Sequence, residues 1–227
     1  MTTLTQKSLL IFDLDGTLID SAADLAQAVN LTLKDLNYAT FDETVVKNWV
    51  GNGAKVLMER ALSSADTSDK NRSPQLITQA LERFFVHYRH HICDKTQAYD
   101  GVSEGLNALK AAGFTLAIVT NKPYEFVPPI LQTLGWQSLF ALVLGGDSLP
   151  VKKPDPTPLL HVCTELGFSP SQSLMIGDSK NDILAGQNAD MATIGLSYGY
   201  NYGEDIRTFN PTQTFDKFAD LVAYLLN

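Results

Sequence analysis

One stretch of the sequence joins an apolar run to two acids and a turn, and it reads Leu9-Leu10-Ile11-Phe12-Asp13-Leu14-Asp15-Gly16-Thr17. The run 9–12 predicts a buried β-strand, and Asp15-Gly16 predicts a turn directly after it. Asp13 and Asp15 would repel each other unless a cation or strong hydrogen bonds compensate their charge. The pattern therefore indicates a divalent-metal site at the carboxyl end of a strand. An Asp-Gly turn with a capping carboxylate is the simpler alternative, and this stretch alone leaves both open.

The composition is that of an ordinary globular protein and excludes several classes of function. With 227 residues, of which 44% are hydrophobic and 19% charged, the chain can bury a full core. The net charge of -8 argues against nucleic acid or an anionic membrane as the main partner. A phosphate-bearing ligand would therefore need a local source of positive charge.

The cysteines and the N-terminal stretch indicate the compartment. Cys93 and Cys163 are too few for a disulfide framework and lack metal-ligand spacing, which is typical of a reducing cytosol. The apolar stretch near the N-terminus is short and is interrupted by Asp13, so it predicts neither a signal peptide nor a membrane-spanning helix. We therefore expect a cytoplasmic protein.

The order of predicted elements divides the chain into two parts. Between about 20 and 99 the sequence predicts helices and no convincing strand, beginning with a capping box at Ser21-Ala22-Ala23-Asp24. From 102 onward strands and helices alternate, which is typical of a parallel sheet with right-handed crossovers. We therefore predict an α/β fold with a Rossmann-like parallel-sheet core, 1–19 and 100–227, and an inserted all-helical cap domain, 20–99. In the alternating part the predicted strands are 114–119, 139–144, 173–176 and 191–195, and a closing helix is predicted at 215–226.

Polar side chains follow three of the predicted strands. Asp13 follows the first, Thr120-Asn121 follows the second and Gly177-Asp178 follows a later one. Ligands of open parallel sheets bind at the carboxyl ends of strands, so we expect these groups and the loop Lys152–Pro156 to face one crevice. Each group has a structural alternative, namely strand-end hydrogen bonding, a solvated lysine loop or a helix cap. Together they are the parts needed to hold Mg²⁺ and a phosphoryl group.

These motifs resemble those of the haloacid dehalogenase-like hydrolase superfamily, whose four motifs correspond to the Asp13 run, Thr120, Lys153 and the Asp178 run. The resemblance covers nearly the whole chain, including a helical insertion after the first strand. Three further stretches are similar to the bacterial phosphoglycolate phosphatases: Trp49-Val50-Gly51-Asn52-Gly53-Ala54, Val119-Thr120-Asn121-Lys122-Pro123 and Tyr198-Gly199-Tyr200-Asn201-Tyr202-Gly203-Glu204. The resemblance implies a Mg²⁺-dependent phosphatase of a small phosphorylated metabolite, with 2-phosphoglycolate as the expected substrate.

The resemblance also implies a role for each site residue. Asp13 would attack phosphorus and form an aspartyl-phosphate, while Asp15 would protonate the leaving oxygen and then activate water. Mg²⁺ would be held by a side-chain oxygen of Asp13, the backbone carbonyl of Asp15 and Asp178. Asp182 would orient these ligands without binding the ion itself. The groups expected to neutralise charge on the transferring oxygens are Thr120, Asn121 and Lys153, the last chosen over Lys152 because it directly precedes Pro154.

Substrate choice is expected to come from the cap, because the core motifs bind only the phosphoryl group. Gly51-Asn52-Gly53 would let backbone amides approach a small substrate, with Lys55 or Arg60 available for a carboxylate. A plain loop followed by a solvated helix face is the alternative. His87, His90 and His91 have helical spacing, but we expect surface and packing roles for them because a fourth metal ligand is missing nearby.

Other functions remain open at this point. A phosphatase of another sugar phosphate would use the same core, and a β-phosphoglucomutase-like isomerase would use the same two acids and cap arrangement. A regulatory module that senses phosphate without catalysis is the alternative from a different class, although every acidic motif position is kept. The sequence leaves the oligomeric state open between monomer and dimer.

Overall fold

The computed structural model describes residues 8–66 and 73–227. Its strands are β1 Leu9–Phe12, β2 Ile19–Asp20, β3 Gln97–Ala98, β4 Thr115–Val119, β5 Leu142–Leu144, β6 Ser173–Gly177, β7 Ala192–Leu196 and β8 Gln213–Phe215. Six of them form one sheet in the order β5-β4-β1-β6-β7-β8, and every neighbouring pair is parallel. The predicted α/β fold with a parallel sheet is confirmed.

Nine helices surround this sheet or stand beside it in the described part of the chain. They are α1 Ala22–Asp35, α2 Glu43–Lys47, α3 Ala54–Ala65, α4 Pro74–His90, α5 Val102–Ala111, α6 Val127–Thr133, α7 Thr157–Leu166, α8 Lys180–Asn188 and α9 Phe218–Leu226. None of the helices in 8–66 and 73–227 is both long and apolar enough to cross a membrane.

Strand β1 is central and fully buried, because its four apolar residues supply both faces of the sheet. Leu10 and Phe12 pack into a core that includes residues of α5, α6 and α9, whereas Leu9 and Ile11 pack into a second core with α7 and α8. Phe12 pairs with Ile118 of β4 and with Ile176 of β6. The residues that follow these three strands therefore emerge side by side at one edge of the sheet.

Helices α1 to α4 pack around a separate apolar core. On α1, Leu25, Val29 and Leu33 recur at helical spacing and lie in this core, and α4 contributes Phe84 and Tyr88. The core also includes Phe126 and Tyr200, which come from segments that follow strands of the main sheet. Because these two aromatic residues are shared, the helical region is packed directly against the carboxyl edge of the sheet.

The structure differs from the predicted elements at several points. Two short antiparallel strands, β2 and β3, join the helical region to the core, although no convincing strand was expected inside it. A strand of two residues is too short to show a periodicity by which it could be recognised in the sequence. Strand β8 lies where the closing helix was predicted to begin, and β5 covers only the last part of 139–144. The sequence also predicts a polar loop at 66–73, which lies almost entirely outside the described residues.

The predicted capping box at Ser21 is wrong. Ser21 does occupy the N-cap position of α1, but in the described chain its hydroxyl donates to Asp15 Oδ1 rather than capping the helix. The backbone N–H of Ser21 donates to the hydroxyl of Tyr200 at 2.8 Å. A local pattern thus gave the correct helix start for an incorrect reason, because long-range partners took the side chain.

Candidate active site

Three buried carboxylates meet at the carboxyl edge of the sheet. Asp13 follows β1, Asp178 follows β6 and Asp182 lies in the first turn of α8. One oxygen from each lies within 4.8 Å of the others. The crevice predicted from strand ends therefore contains an acidic cluster that can hold a cation. The side chain of Asp15 is outside this cluster, so a role for Asp15 in metal binding depends on its backbone carbonyl and stays a prediction.

Asp178 is held by two hydrogen bonds and by close backbone approach. Thr17 Oγ1 donates to Oδ1 and the N–H of Tyr200 donates to Oδ2, both at 2.7 Å. A Cβ atom on Gly16 would lie 2.4 Å from Asp178 Oδ2, and one on Gly199 would lie 2.1 Å from Asp178 Cβ. Gly16 also has a φ of 88°. Both glycines are therefore needed to bring the backbone this close to the carboxylate.

Asp182 has partners on two elements, and its expected role in orienting the metal ligands stays a prediction. Its Oδ2 accepts from the N–H and the hydroxyl of Ser179, at 3.0 and 2.7 Å, in a capping box at the start of α8. Its Oδ1 accepts from Lys153 Nζ at 2.6 Å. Asp182 therefore caps the helix and also fixes the position of a buried ammonium group.

Lys153 is the cation of the acidic cluster. Its Nζ lies 3.0 Å from Asp13 Oδ1 as well as 2.6 Å from Asp182, and the side chain is buried. Burial alone would lower the pKa of Lys153, but the charges of Asp13 and Asp182 raise it overall, so the amine stays charged. Lys152 points elsewhere and donates to the carbonyl of Asn52 at 2.7 Å.

The electrostatics of the cluster fit a divalent cation. Burial raises the pKa of Asp13 to about 6, and Lys153 opposes that rise. Burial, and then repulsion from Asp182 and Asp13, raises the pKa of Asp178 to about 8. Among the described residues Asp13 Oδ1 lacks a well-aligned hydrogen bond. Three carboxylates against one ammonium leave excess negative charge, and an all-oxygen donor set is the kind that Mg²⁺ prefers.

Thr120 and Asn121 both border the site but use their polar atoms differently. The hydroxyl oxygen of Thr120 accepts from the N–H of Lys122 at 3.2 Å, which leaves its own proton available. The amide of Asn121 donates to the carbonyls of Gly51 and Lys153, both at 3.0 Å. Asn121 therefore ties the strand end to a loop of the helical region instead of offering its N–H groups to a ligand.

Lys122 is the residue that the sequence reasoning did not single out. Its Nζ donates to Asp15 Oδ1 and Oδ2, at 2.9 and 3.2 Å, and to the Tyr88 hydroxyl at 2.7 Å. A lysine directly before a proline looks like part of a solvated loop, and its two acceptors are 107 and 34 residues away in the chain. Its position directly after Thr120-Asn121 at a strand end was the available signal.

The four predicted cap residues differ in their position relative to the cavity. Gly51 and Gly53 line the cavity at the site and have φ of 112° and 86°. The carbonyl of Asn52 accepts from Lys152, and its side-chain oxygen accepts from Arg60 at 3.1 Å. Lys55 is exposed, pairs with Glu59 at 3.6 Å and does not belong to the described lining of the cavity.

The cavity lies between the sheet edge and the helical region. It leaves about 30 Å³ for the centres of water-sized molecules, where one water needs roughly 10–15 Å³ on the same measure. A ligand enclosed there must therefore be small. Its lining combines core and helical residues: Asp13, Asp15, Leu25, Val50, Gly51, Gly53, Ala54, Leu57, Phe84, Tyr88, Thr120, Asn121, Lys122, Pro123 and Phe126.

Comparisons with known proteins agree with the fold and the acidic cluster. The family model described as haloacid dehalogenase-like hydrolase matches residues 10–196. The chain belongs to that family, and it is an enzyme of the phosphatase class. The phosphatases of this family generally use a divalent metal, which agrees with the acidic cluster.

Individual relatives narrow the comparison further. The chain is 58% identical to the phosphoglycolate phosphatase of Psychrobacter arcticus, over 97% of this chain and 96% of that protein. It is 54% identical to that of Colwellia psychrerythraea, over 98% of each. The crystal structure of a "predicted phosphoglycolate phosphatase" from Haemophilus somnus superposes with a TM-score of 0.91 at 43% identity, covering 96% of this chain and 97% of that one.

Proposed function

We propose that this enzyme hydrolyses 2-phosphoglycolate to glycolate and phosphate, with Mg²⁺ as cofactor and an aspartyl-phosphate on Asp13 as intermediate. The observation that carries the proposal is the position of Asp13. Its carboxylate is buried at the end of β1, lies 3.0 Å from Lys153 and has one oxygen without an aligned hydrogen bond. The names of the relatives at 58% and 54% identity support the substrate.

The chemistry proceeds through two displacements at phosphorus. A carboxylate oxygen of Asp13 attacks phosphorus, the bond from phosphorus to the glycolate oxygen breaks, and Asp15 gives its proton to that leaving oxygen. Asp15 then takes a proton from water, which attacks the phosphorus of the aspartyl-phosphate. The bond between phosphorus and Asp13 breaks, phosphate leaves and Asp13 is restored.

The remaining polar groups bind and orient. Asp13, Asp178 and the backbone carbonyl of Asp15 would hold Mg²⁺, which supplies positive charge toward the phosphoryl oxygens when it is bound. Asp182 holds Lys153 against Asp13, and Lys153 and the free hydroxyl proton of Thr120 neutralise negative charge that develops on the phosphoryl group.

The size of the cavity supports a small substrate. The cavity leaves about 30 Å³ for the centres of water-sized molecules, so a two-carbon phosphoester requires less outward movement of the helical region than a hexose phosphate does. The apolar side chains that close the cavity would also keep bulk water from the intermediate.

The experiment measures phosphate release from a panel of small phosphoesters, with and without a chelator of divalent ions. We expect the highest kcat/KM for 2-phosphoglycolate, loss of turnover with the chelator and recovery with added Mg²⁺. Asp13→Asn should abolish turnover and the phosphorylated enzyme found after acid quenching. Asp220→Asn, an exposed acid on α9, is the matched control and should keep both. Preference for a different phosphoester would refute the substrate, and turnover by Asp13→Asn would refute the mechanism.

A further inference from the structure

Lys122 and Tyr88 form a buried polar pair that joins the two halves of the cavity wall. Lys122 follows β4, whereas Tyr88 lies on α4 of the helical region, and Lys122 Nζ is 2.7 Å from the Tyr88 hydroxyl. The same ammonium contacts Asp15 at 2.9 and 3.2 Å. Only 3% of the Lys122 side chain is exposed. A charge this well buried requires partners, and the pair supplies them at the surface of the cavity.

The Tyr88 hydroxyl has an unused donor. Tyr88 is buried, and in the part of the chain that the structure describes its hydroxyl oxygen accepts a hydrogen bond from Lys122 and makes no other hydrogen bond. Burial holds the pKa of Tyr88 above its ordinary range, so the hydroxyl keeps its proton. A buried O–H without an acceptor costs free energy unless a ligand or water accepts from it.

The rest of the helical side of the cavity is mostly apolar. Leu25, Val50, Leu57 and Phe84 line it, and among the described lining residues Lys122 is the sole cation. The sequence-based candidate Lys55 is exposed and paired with Glu59. A second anionic group on the substrate therefore has one charged partner in the cavity outside the acidic cluster.

We propose that Lys122 and Tyr88 together bind the carboxylate of the substrate and so select carboxylate-bearing phosphoesters. This inference depends on the proposed function, because it concerns the same cavity. Asp15 contacts the ester oxygen in that mechanism, and in 2-phosphoglycolate a single methylene separates this oxygen from the carboxylate. The Lys122 ammonium, which is bonded to Asp15, can therefore reach the substrate carboxylate with one hydrogen bond.

Hydrogen-bond capacity permits this contact. An ammonium group has three N–H donors, and the contact of Lys122 with Asp15 Oδ2, at 3.2 Å, is the longest of its three. That donor can turn to the ligand while the other two stay bonded to Asp15 and Tyr88. The free proton of Tyr88 supplies the second hydrogen bond to the carboxylate.

The test compares 2-phosphoglycolate with ethyl phosphate, which replaces the carboxylate by a methyl group. The quantity measured is the ratio of kcat/KM for the two substrates, because damage to Asp15 or to the phosphoryl site affects both and cancels. We expect Lys122→Met to lower this ratio by about 10- to 100-fold, the range for hydrogen bonds to a charged group. Tyr88→Phe should lower it about 3- to 10-fold. Lys55→Met is the matched control and should leave it unchanged.

Equal losses for both substrates in Lys122→Met and Tyr88→Phe would overturn the proposal and leave these residues with a role in positioning Asp15. A fall in the ratio for Lys55→Met alone would also overturn it, in favour of the exposed lysine. If Lys122→Met does not fold, Tyr88→Phe carries the test, since its ring keeps the packing against Phe84 and Phe126 at centroid distances of 5.6 and 4.8 Å.

A binding experiment separates this proposal from the proposed function. Calorimetry on Asp13→Asn, which is expected to bind without turnover, gives Kd for 2-phosphoglycolate and for ethyl phosphate. The Kd for 2-phosphoglycolate divided by the Kd for ethyl phosphate should rise by the same factor when Lys122→Met or Tyr88→Phe is added. An unchanged ratio refutes the carboxylate site even if the enzyme is a phosphatase. A changed ratio supports it even if the wild-type enzyme turns over neither ester.

Discussion

The sheet edge and the helical region form the two sides of one cavity, and they hold their polar groups by different means. On the sheet side, Asp13 and Asp178 follow paired parallel strands, so backbone hydrogen bonds fix their separation. On the helical side, Tyr88 depends on one long-range side-chain contact with Lys122 of the core, and Gly51 depends on amides from the core. The first arrangement is rigid by topology, whereas the second exists only while the helical region is packed on the core. The proposed roles divide in the same way, with phosphoryl chemistry on the sheet side and substrate choice where the helical region meets the core.

The largest effect on the sheet side of the cavity is expected from substitution of Lys153. Lys153→Met should lower kcat for 2-phosphoglycolate by about 10²- to 10³-fold, because it removes the cation that faces Asp13 and the transferring oxygens. Steady-state kinetics measures the effect. Lys152→Met is the neighbouring control, and its smaller change should appear mainly in KM, since Lys152 contacts the carbonyl of Asn52. A larger loss of kcat in Lys152→Met than in Lys153→Met would mean that the wrong lysine has been placed at the phosphoryl group.

Gly16 tests whether close backbone approach matters for the acids. Gly16→Ala should raise the Mg²⁺ concentration for half-maximal activity about 10- to 100-fold, because its Cβ would lie 2.4 Å from Asp178 Oδ2. Gly113→Ala is a matched control with a φ of 94° and nothing within 4 Å of the added Cβ. Both variants should lose about 1–2 kcal/mol of stability from the left-handed backbone. A similar Mg²⁺ requirement in the two variants would show that strain alone is responsible.

The acidic cluster also predicts how stability depends on pH. The pKa of Asp178 is raised from an ordinary 3.8 to about 8, so the folded state binds a proton that the unfolded state has released. Stability of the Mg²⁺-free protein should therefore fall as pH rises from about 4 through 8. Thermal unfolding should show this slope, and Mg²⁺ should raise Tm more at pH 8 than at pH 5. Asp178→Asn should flatten the slope, and a Tm that instead rises over this range would contradict the assignment.

The smallest expected effect concerns the docking of the helical region on the core. Asn181 Nδ2 donates to the carbonyl of Gly51 at 3.1 Å and to the Tyr202 hydroxyl at 2.8 Å. Asn181→Ala should raise KM about 3- to 10-fold with a smaller change in kcat, because the closed arrangement loses about one hydrogen bond. Asn188→Ala, on the exposed side of the same helix, is the control. Equal KM values in the two variants would remove Asn181 from the docking contact.

The sequence predicted the sheet side of the cavity well because its information is local. An apolar run followed by acids, and strand ends that carry Thr120 and Asp178, translate into positions through the geometry of a parallel sheet. The contacts between the two sides of the cavity were predicted poorly for the opposite reason. Lys122, Tyr88 and Asp15 are far apart in the chain, and local periodicity carries no signal for their contact. Ser21 was misjudged in the same way, since its local capping pattern was outweighed by a partner that only the tertiary structure reveals. For Lys55 the sequence left a substrate contact and a solvated helix face open, and the structure shows an exposed side chain paired with Glu59.

The short ribbon formed by β2 and β3 limits how the cavity can open. Ile19 pairs with Ala98 and Asp20 with Gln97, so the outgoing and returning chain crossings are bonded to each other. Two crossings tied in this way cannot swing independently. We therefore expect any displacement of the four helices to pivot at this ribbon, a few residues from the proposed nucleophile Asp13.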